Sequence, residues 1–337
     1  MMRLPRFEYF APETAAEAVA LKQKYGAEAM YVAGGTDLYP KMKRRQMTPQ
    51  VLIGLNQIEA LRALHNGDGL TLGAGLTLTE VAGNAQIQAH YPALAHAAGL
   101  VSSPPLRNAG TIGGNLCVDT RCTYYDQTLP WRKALGYCMK KDGDVCWVAL
   151  SSPRCLAVSS SDCAPVAIAL GASVRLVGAE GERVIPAEGL YQDDGMNYLA
   201  KGPDELLTEI NLPPREGWRT AYWKLRRRGS IDFPILGVAV ALQIAEDGTC
   251  TAARLVLGAV ASRPVPVPEE ITSLLVGERI TPERVDEVAQ KAYRPAKPLD
   301  NTDMHLSYRK KMARVYIAGA LSQAAGLETP VAPVSYQ

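Results

Sequence analysis

The feature that most limits how this chain can fold is a glycine-rich loop, Arg107-Asn108-Ala109-Gly110-Thr111-Ile112-Gly113-Gly114-Asn115. Three glycines beside a threonine and an asparagine expose backbone N–H groups, and such groups can wrap a pyrophosphate. A second loop of this kind, Ala33-Gly34-Gly35-Thr36-Asp37-Leu38, lies upstream at the end of a short apolar run. Read alone, it is either a tight strand-to-helix turn or a second phosphate cradle to which Thr36 adds a hydroxyl donor. It is not a Walker loop, because no Gly-Lys-Ser/Thr follows, and its glycine spacing is wrong for a Rossmann fingerprint. Two such loops on separate α+β segments fit one extended dinucleotide.

The rest of the chain narrows the setting. At 337 residues it can bury large cores and divide into two or three domains. A net charge of +2 provides no general field for nucleic acid or a membrane surface, so neither is expected as a partner. Two local basic runs stand out, Lys41 with Lys43, Arg44 and Arg45, and Arg226 with Arg227 and Arg228. They read as solvated faces, or as cations that meet a polyanionic cofactor or a partner. The first ten residues carry no apolar segment, and no run approaches the ~18 apolar residues of a membrane span. The expected location is cytoplasmic, where disulfides are disfavoured. Seven cysteines, five of them between 117 and 155, then ask for another explanation.

Periodicity predicts a helix over 12–24, capped through Thr14 and Glu17 and ended by Gly26. Strands follow at 30–33 and 51–55, and an alternating strand over 70–78. Thr77 and Glu80 have the spacing to cap a next helix, and another helix is expected at 92–100. An apolar run at 164–172 leads to a hairpin carrying Val174, Leu176 and Ile185. Residues 212–216 read as a linker. Beyond it come strands at 236–244 and 254–260, helical sequence from Thr281, an amphipathic segment over 307–325 and a loose Pro-rich tail from Thr329. Asp162 opens the apolar run, either as a helix cap or as an acceptor for a ribose or flavin.

The two glycine loops, Ser161-Asp162, and Lys224 with Arg226 and Arg227 ahead of Asp232 resemble the FAD-binding subunits of the xanthine oxidase family of molybdenum hydroxylases. The segment around Tyr308-Arg309-Lys310 is similar to that family's terminal domain. The resemblance implies an α+β fold of the vanillyl-alcohol-oxidase or PCMH type, with two subdomains at 1–57 and 58–215 clamping FAD. A smaller C-terminal α+β domain would occupy 216–337. It also implies that Val32, Ala33, Gly34, Gly35, Thr36 and Asp37, with Gly110, Thr111, Ile112, Gly113, Gly114 and Asn115, hold the cofactor. The pyrophosphate would be bound mainly through backbone N–H groups. Asp162 and Lys224 would approach the rest of the cofactor, with Lys224 near the isoalloxazine, where a cation favours the reduced, anionic flavin. No residue is expected to be catalytic by itself.

The stretch 119–161 departs from the family pattern and reads as an insertion. It contains Cys122, Cys138, Cys146 and Cys155, separated by fifteen, seven and eight residues, whereas Cys117 and Cys163 lie in flanking motifs as buried small hydrophobes. None of the spacings is the two-residue step of ferredoxins or zinc ribbons, so a cluster, a zinc site, disulfides and unligated thiols stay open. Within the family such an insertion resembles that of the 4-hydroxybenzoyl-CoA reductases, where it carries a [4Fe–4S] cluster. The span from 122 to 155 is long enough to fold back as a cap of Tyr124, Tyr125, Trp131, Tyr137 and Trp147 around such a cluster, excluding water. The resemblance further implies an electron-transfer subunit fed by a low-potential donor such as ferredoxin. The partners would be a small [2Fe–2S] subunit and a large molybdopterin subunit, in a dimer of heterotrimers. The alternatives are a flavin subunit delivering electrons to NAD or oxygen, with a structural metal in the insertion, and a non-enzymatic assembly subunit.

Overall fold

The computed structural model describes residues 3–329; the rest of the expected loose tail lies outside the described residues. The N-terminal unit is a parallel three-stranded sheet built from β1 (Glu8–Phe10), β2 (Ala29–Val32) and β3 (Val51–Gly54), with β3 in the middle. Helix α1 (Ala15–Tyr25) connects β1 to β2, and α2 (Leu38–Lys43) connects β2 to β3. Thr14 caps α1 by accepting from the Glu17 N–H at 3.1 Å, and Gly26, with φ +53°, ends it.

The second unit is a five-stranded antiparallel sheet ordered β4-β5-β8-β6-β7, with helices packed on one face. In chain order it runs β4 (Leu64–Asn66), β5 (Leu70–Gly73), α3 (Leu78–Gly83), α4 (Ala85–His90), α5 (Pro92–Gly99), α6 (Pro104–Arg107) and α7 (Ile112–Leu116). It continues with α8 (Leu129–Ala134), α9 (Cys163–Ala169), β6 (Ser173–Gly178), β7 (Gly181–Pro186) and β8 (Leu206–Leu212). The alternating strand expected over 70–78 stops at Gly73. The Gly75 N–H turns back to the Leu61 carbonyl at 2.7 Å, and the reciprocal capping box of Thr77 and Glu80 starts α3. Local capping therefore overrides period-two alternation there.

The C-terminal unit is an antiparallel sheet of β9 (Trp218–Leu225), β10 (Leu236–Ile244), β11 (Cys250–Gly258) and the short β12 (Val265–Pro266). It is followed by α10 (Glu269–Thr272), α11 (Pro282–Ala292) and α12 (Leu306–Ala325). Both faces of β10 are buried. Val238, Val240 and Leu242 join the core under α11 and α12, while Ala239 and Ala241 join the core of the second unit. The alternation of large and small side chains lets one strand serve two cores. Among the described residues no helix is long and apolar enough to cross a membrane.

Candidate functional site

The loop at 33–37 leaves the buried end of β2 and enters α2. Gly35 sits at φ +67°, and a Cβ on Gly34 would stand 1.9 Å from the Ala109 carbonyl oxygen. Only a bare backbone lets this loop lie against the second one, which is why the two glycine motifs form one structure. Among the described residues the backbone N–H groups of Gly34, Gly35 and Thr36 have no acceptor in the chain. They form a cradle of free donors suited to an anion.

The second loop is built differently. Thr111 caps α7 by accepting from the Gly114 N–H at 3.0 Å, and the Gly113 N–H donates to the Ala74 carbonyl at 2.9 Å. Gly110 and Ile112 donate to Leu106 and Leu76. The backbone donors expected at Gly113, Gly114 and Asn115 thus already have internal partners, whereas among the described residues the Thr111 N–H, like those of the first loop, has no acceptor in the chain. Gly113 is a packing glycine, since a Cβ there would stand 2.6 Å from that of Ala74. At Gly114 a Cβ would meet only the Thr111 hydroxyl, and the position is exposed. The Asn115 side-chain oxygen accepts from the Ser161 hydroxyl at 2.8 Å and the Cys163 N–H at 3.1 Å, tying α7 to the start of α9.

Asp162 and Lys224 come together as a buried ion pair at 2.8 Å. The Tyr222 hydroxyl donates to the other Asp162 oxygen at 2.8 Å, and Lys224 also donates to the carbonyls of Leu100 and Asp232. Burial pushes the Asp162 carboxyl above its usual range, against the pull of Lys224. Three acceptors occupy the three ammonium donors, so Lys224 is a clamp between β9, the 100 turn and the 232 loop, with its charge met by Asp162.

Asp37 and Lys41 face away from the cradle toward the cysteine stretch. Asp37 pairs with Arg121 at 2.5 Å and with Lys41 at 3.4 Å. Lys41 is fully buried and reaches Asp119, so this member of the basic run is not on a solvated face. Asp119 also receives Lys140 at 2.7 Å. Burial alone would raise the Asp119 carboxyl, but Lys140 and Lys41 together hold it below the usual carboxylate range. Sequence reasoning did not single out Asp119, Arg121, Lys140 or Tyr222, because their partners lie tens of residues away.

The stretch 119–161 is closed at its neck by reciprocal backbone bonds between Arg121 and Val158, at 2.8 and 2.7 Å. Inside it α8 is the one helix, and the rest is turns. Tyr137 and Asp142, both at positive φ, bend the chain on either side of Cys138. Cys122, Cys138, Cys146 and Cys155 are all buried and line a single cavity. Tyr124, Tyr125 and Trp147 line it too, whereas Tyr137 does not and Trp131 lies 40% exposed. The expected aromatic cap is therefore three residues, with the Trp147 indole pinned to the Tyr137 carbonyl at 2.5 Å. Burial pushes the Cys122 thiol up to about 12 and that of Cys155 up to about 11. Among the described residues no three His, Cys, Asp or Glu groups are grouped closely enough to hold a single metal ion. Cys163 is fully buried behind α7, outside this cavity, and Cys117 is partly buried.

Residues 5–215 match the family described as the FAD binding domain in molybdopterin dehydrogenase, and 220–324 match the CO dehydrogenase flavoprotein C-terminal domain. The chain belongs to the FAD-binding subunits of the molybdenum hydroxylase family. It is 31% identical over 323 residues to the carbon monoxide dehydrogenase medium chain of Hydrogenophaga pseudoflava, covering 95% of this chain and 97% of that one. It is 34% identical to an aldehyde oxidoreductase FAD-binding subunit of Escherichia coli, over 77% of this chain and 82% of that one. A solved carbon monoxide dehydrogenase from H. pseudoflava superposes with a TM-score of 0.78 at 29% identity, over 96% of this chain and 99% of that one. The fold is thus the two-domain, PCMH-like FAD-binding fold with a C-terminal domain, and the chain is an oxidoreductase flavoprotein subunit. The free N–H groups of Gly34, Gly35 and Thr36 fit the pyrophosphate of that cofactor.

Proposed function

We propose that this chain is the electron-transfer subunit of a molybdenum-containing 4-hydroxybenzoyl-CoA reductase, linking a low-potential donor such as ferredoxin to partner subunits. Those partners are a small [2Fe–2S] subunit and a large molybdopterin subunit, in a dimer of heterotrimers. FAD and a [4Fe–4S] cluster, when bound, supply two-electron and one-electron redox chemistry. In this reading Cys122, Cys138, Cys146 and Cys155 hold the cluster, and the backbone of Gly34, Gly35 and Thr36 holds FAD, with the 110–115 loop packed against it; Asp162 and Lys224, already paired with each other, support the site rather than offer free donors to the cofactor.

The observation that carries the proposal is the convergence of four sequence-distant cysteines on one buried cavity. Zinc gathers four sulfurs at about 2.3 Å from one point, whereas a [4Fe–4S] cluster binds each to a different iron and so holds them farther apart. Four buried thiols from separate points of the chain around one cavity suit the second arrangement. The aromatic wall of Tyr124, Tyr125 and Trp147 suits it as well, since exclusion of water tunes such clusters.

A second reading is favoured by the names of the relatives, which are dehydrogenases or oxidoreductases of carbon monoxide and aldehydes. There the complex oxidises its substrate, electrons leave through this chain to NAD or oxygen, and the cavity holds a structural metal. Metal analysis with a visible spectrum separates the two. The proposal expects about four irons per chain on cubane stoichiometry, one FAD, and dithionite-driven dehydroxylation of the aromatic thioester by the complex only. A colourless metal, or turnover of the thioester by the isolated chain, would sink it.

A further inference from the structure

The cysteine cavity has one charged residue in its wall, Lys140. Its side chain is 6% exposed. The ammonium donates to Asp119 Oδ1 at 2.7 Å, to the Thr120 hydroxyl at 2.7 Å and to the Gly195 carbonyl, so all three donors are satisfied and its position is fixed. Asp119 stands behind it, outside the cavity wall, and is itself held by the buried Lys41 on α2. Gly195 closes the same corner, since a Cβ there would stand 2.8 Å from the Cys155 sulfur. The arrangement is a buried Lys41–Asp119–Lys140 triad in which Lys140 is the member that lines the cavity.

We infer that Lys140 is a positioning residue that raises the reduction potential of a cluster held by the four cysteines, with Asp119 fixing it and partly offsetting its charge. The inference rests on the cluster reading above. Taking up one electron makes such a cluster more negative, and a fixed cation in a dry wall stabilises the more negative state. A surface lysine would be screened by water and salt and would have little such effect.

The test is a dithionite titration of the purified complex, in which the reductant supplies one electron per cluster and electron paramagnetic resonance reads the cluster. Lys140→Gln should keep iron and FAD and shift the one-electron reduction equilibrium about tenfold against reduction, about 59 mV more negative. Lys140→Arg should restore most of the wild-type value. Asp119→Asn keeps the lysine and removes the opposing charge, so its midpoint should move the other way. An unchanged midpoint in Lys140→Gln with full iron overturns the inference. If that variant loses iron, a midpoint in Asp119→Asn that stays fixed or falls overturns it instead. Wild-type complex lacking the extra four irons defeats the cluster reading itself, which the iron assay shows before any potential is measured.

Discussion

The glycine cradle and the cysteine cavity lie side by side in this molecule, joined by Asp37, Lys41, Asp119 and Lys140, yet they are built on opposite principles. The cradle is made of backbone. Its shape follows from residues adjacent in sequence, from a β2–α2 turn and a capped α7, and its glycines are required by contacts such as that between Gly34 and Ala109. The cavity is made of side chains on a chain with almost no regular structure, stitched to distant elements. Gln46 donates to the Tyr125 carbonyl, Thr123 to that of Asn301, and the Gly195 N–H to that of Cys155. A backbone site leaves a local signature, whereas a side-chain site assembled from turns leaves residue types without diagnostic spacing.

If the two regions are separable, the largest effect is all-or-none. Cys138→Ser should abolish the iron of the insertion while FAD stays bound, and Cys163→Ser, behind α7, should spare it. Iron and flavin analysis of the two variants checks this, and loss of iron from Cys163→Ser alone would break the division. Next comes the clamp made by Lys224. Lys224→Met strands the buried Asp162 carboxylate and should cost about 3–5 kcal/mol of stability by denaturant titration. Pairing it with Asp162→Asn should recover part of that loss, since the uncompensated charge is then gone.

A smaller effect is expected at the contact between the loops. Gly34→Ala forces the Ala109 carbonyl aside, an overpacking that costs about 1–3 kcal/mol. It should lower flavin occupancy, measured by absorbance per chain, without lowering iron. Gly114→Ala meets only a hydroxyl, so it should leave stability near wild type, and any flavin loss there reports the cofactor directly. Smallest is Thr77→Ala, which removes the capping box that ends the 74–76 turn beside Gly113. It should cost about 1 kcal/mol in thermal or denaturant unfolding and leave iron untouched.

The sequence by itself determined the elements whose cause is local. Thr14 and Gly26 bound the first helix, Thr77 and Glu80 start α3, and the glycine motifs mark the cradle, because caps and positive-φ turns depend on neighbours within a few residues. Four of the seven cysteines were singled out by lying in the 119–161 stretch that departs from the family pattern. Only the tertiary structure decided that these cysteines share a cavity, that Lys41 is buried, and that Lys224 is matched by Asp162 and Tyr222. That the N–H groups of Ile112 and Gly113 are already engaged was likewise settled by contacts with Leu76 and Ala74, far from either glycine motif in sequence. The physical reason is common to all of these. Burial and pairing of charged or polar groups depend on what the fold brings opposite them, and the partners here come from separate units of the chain.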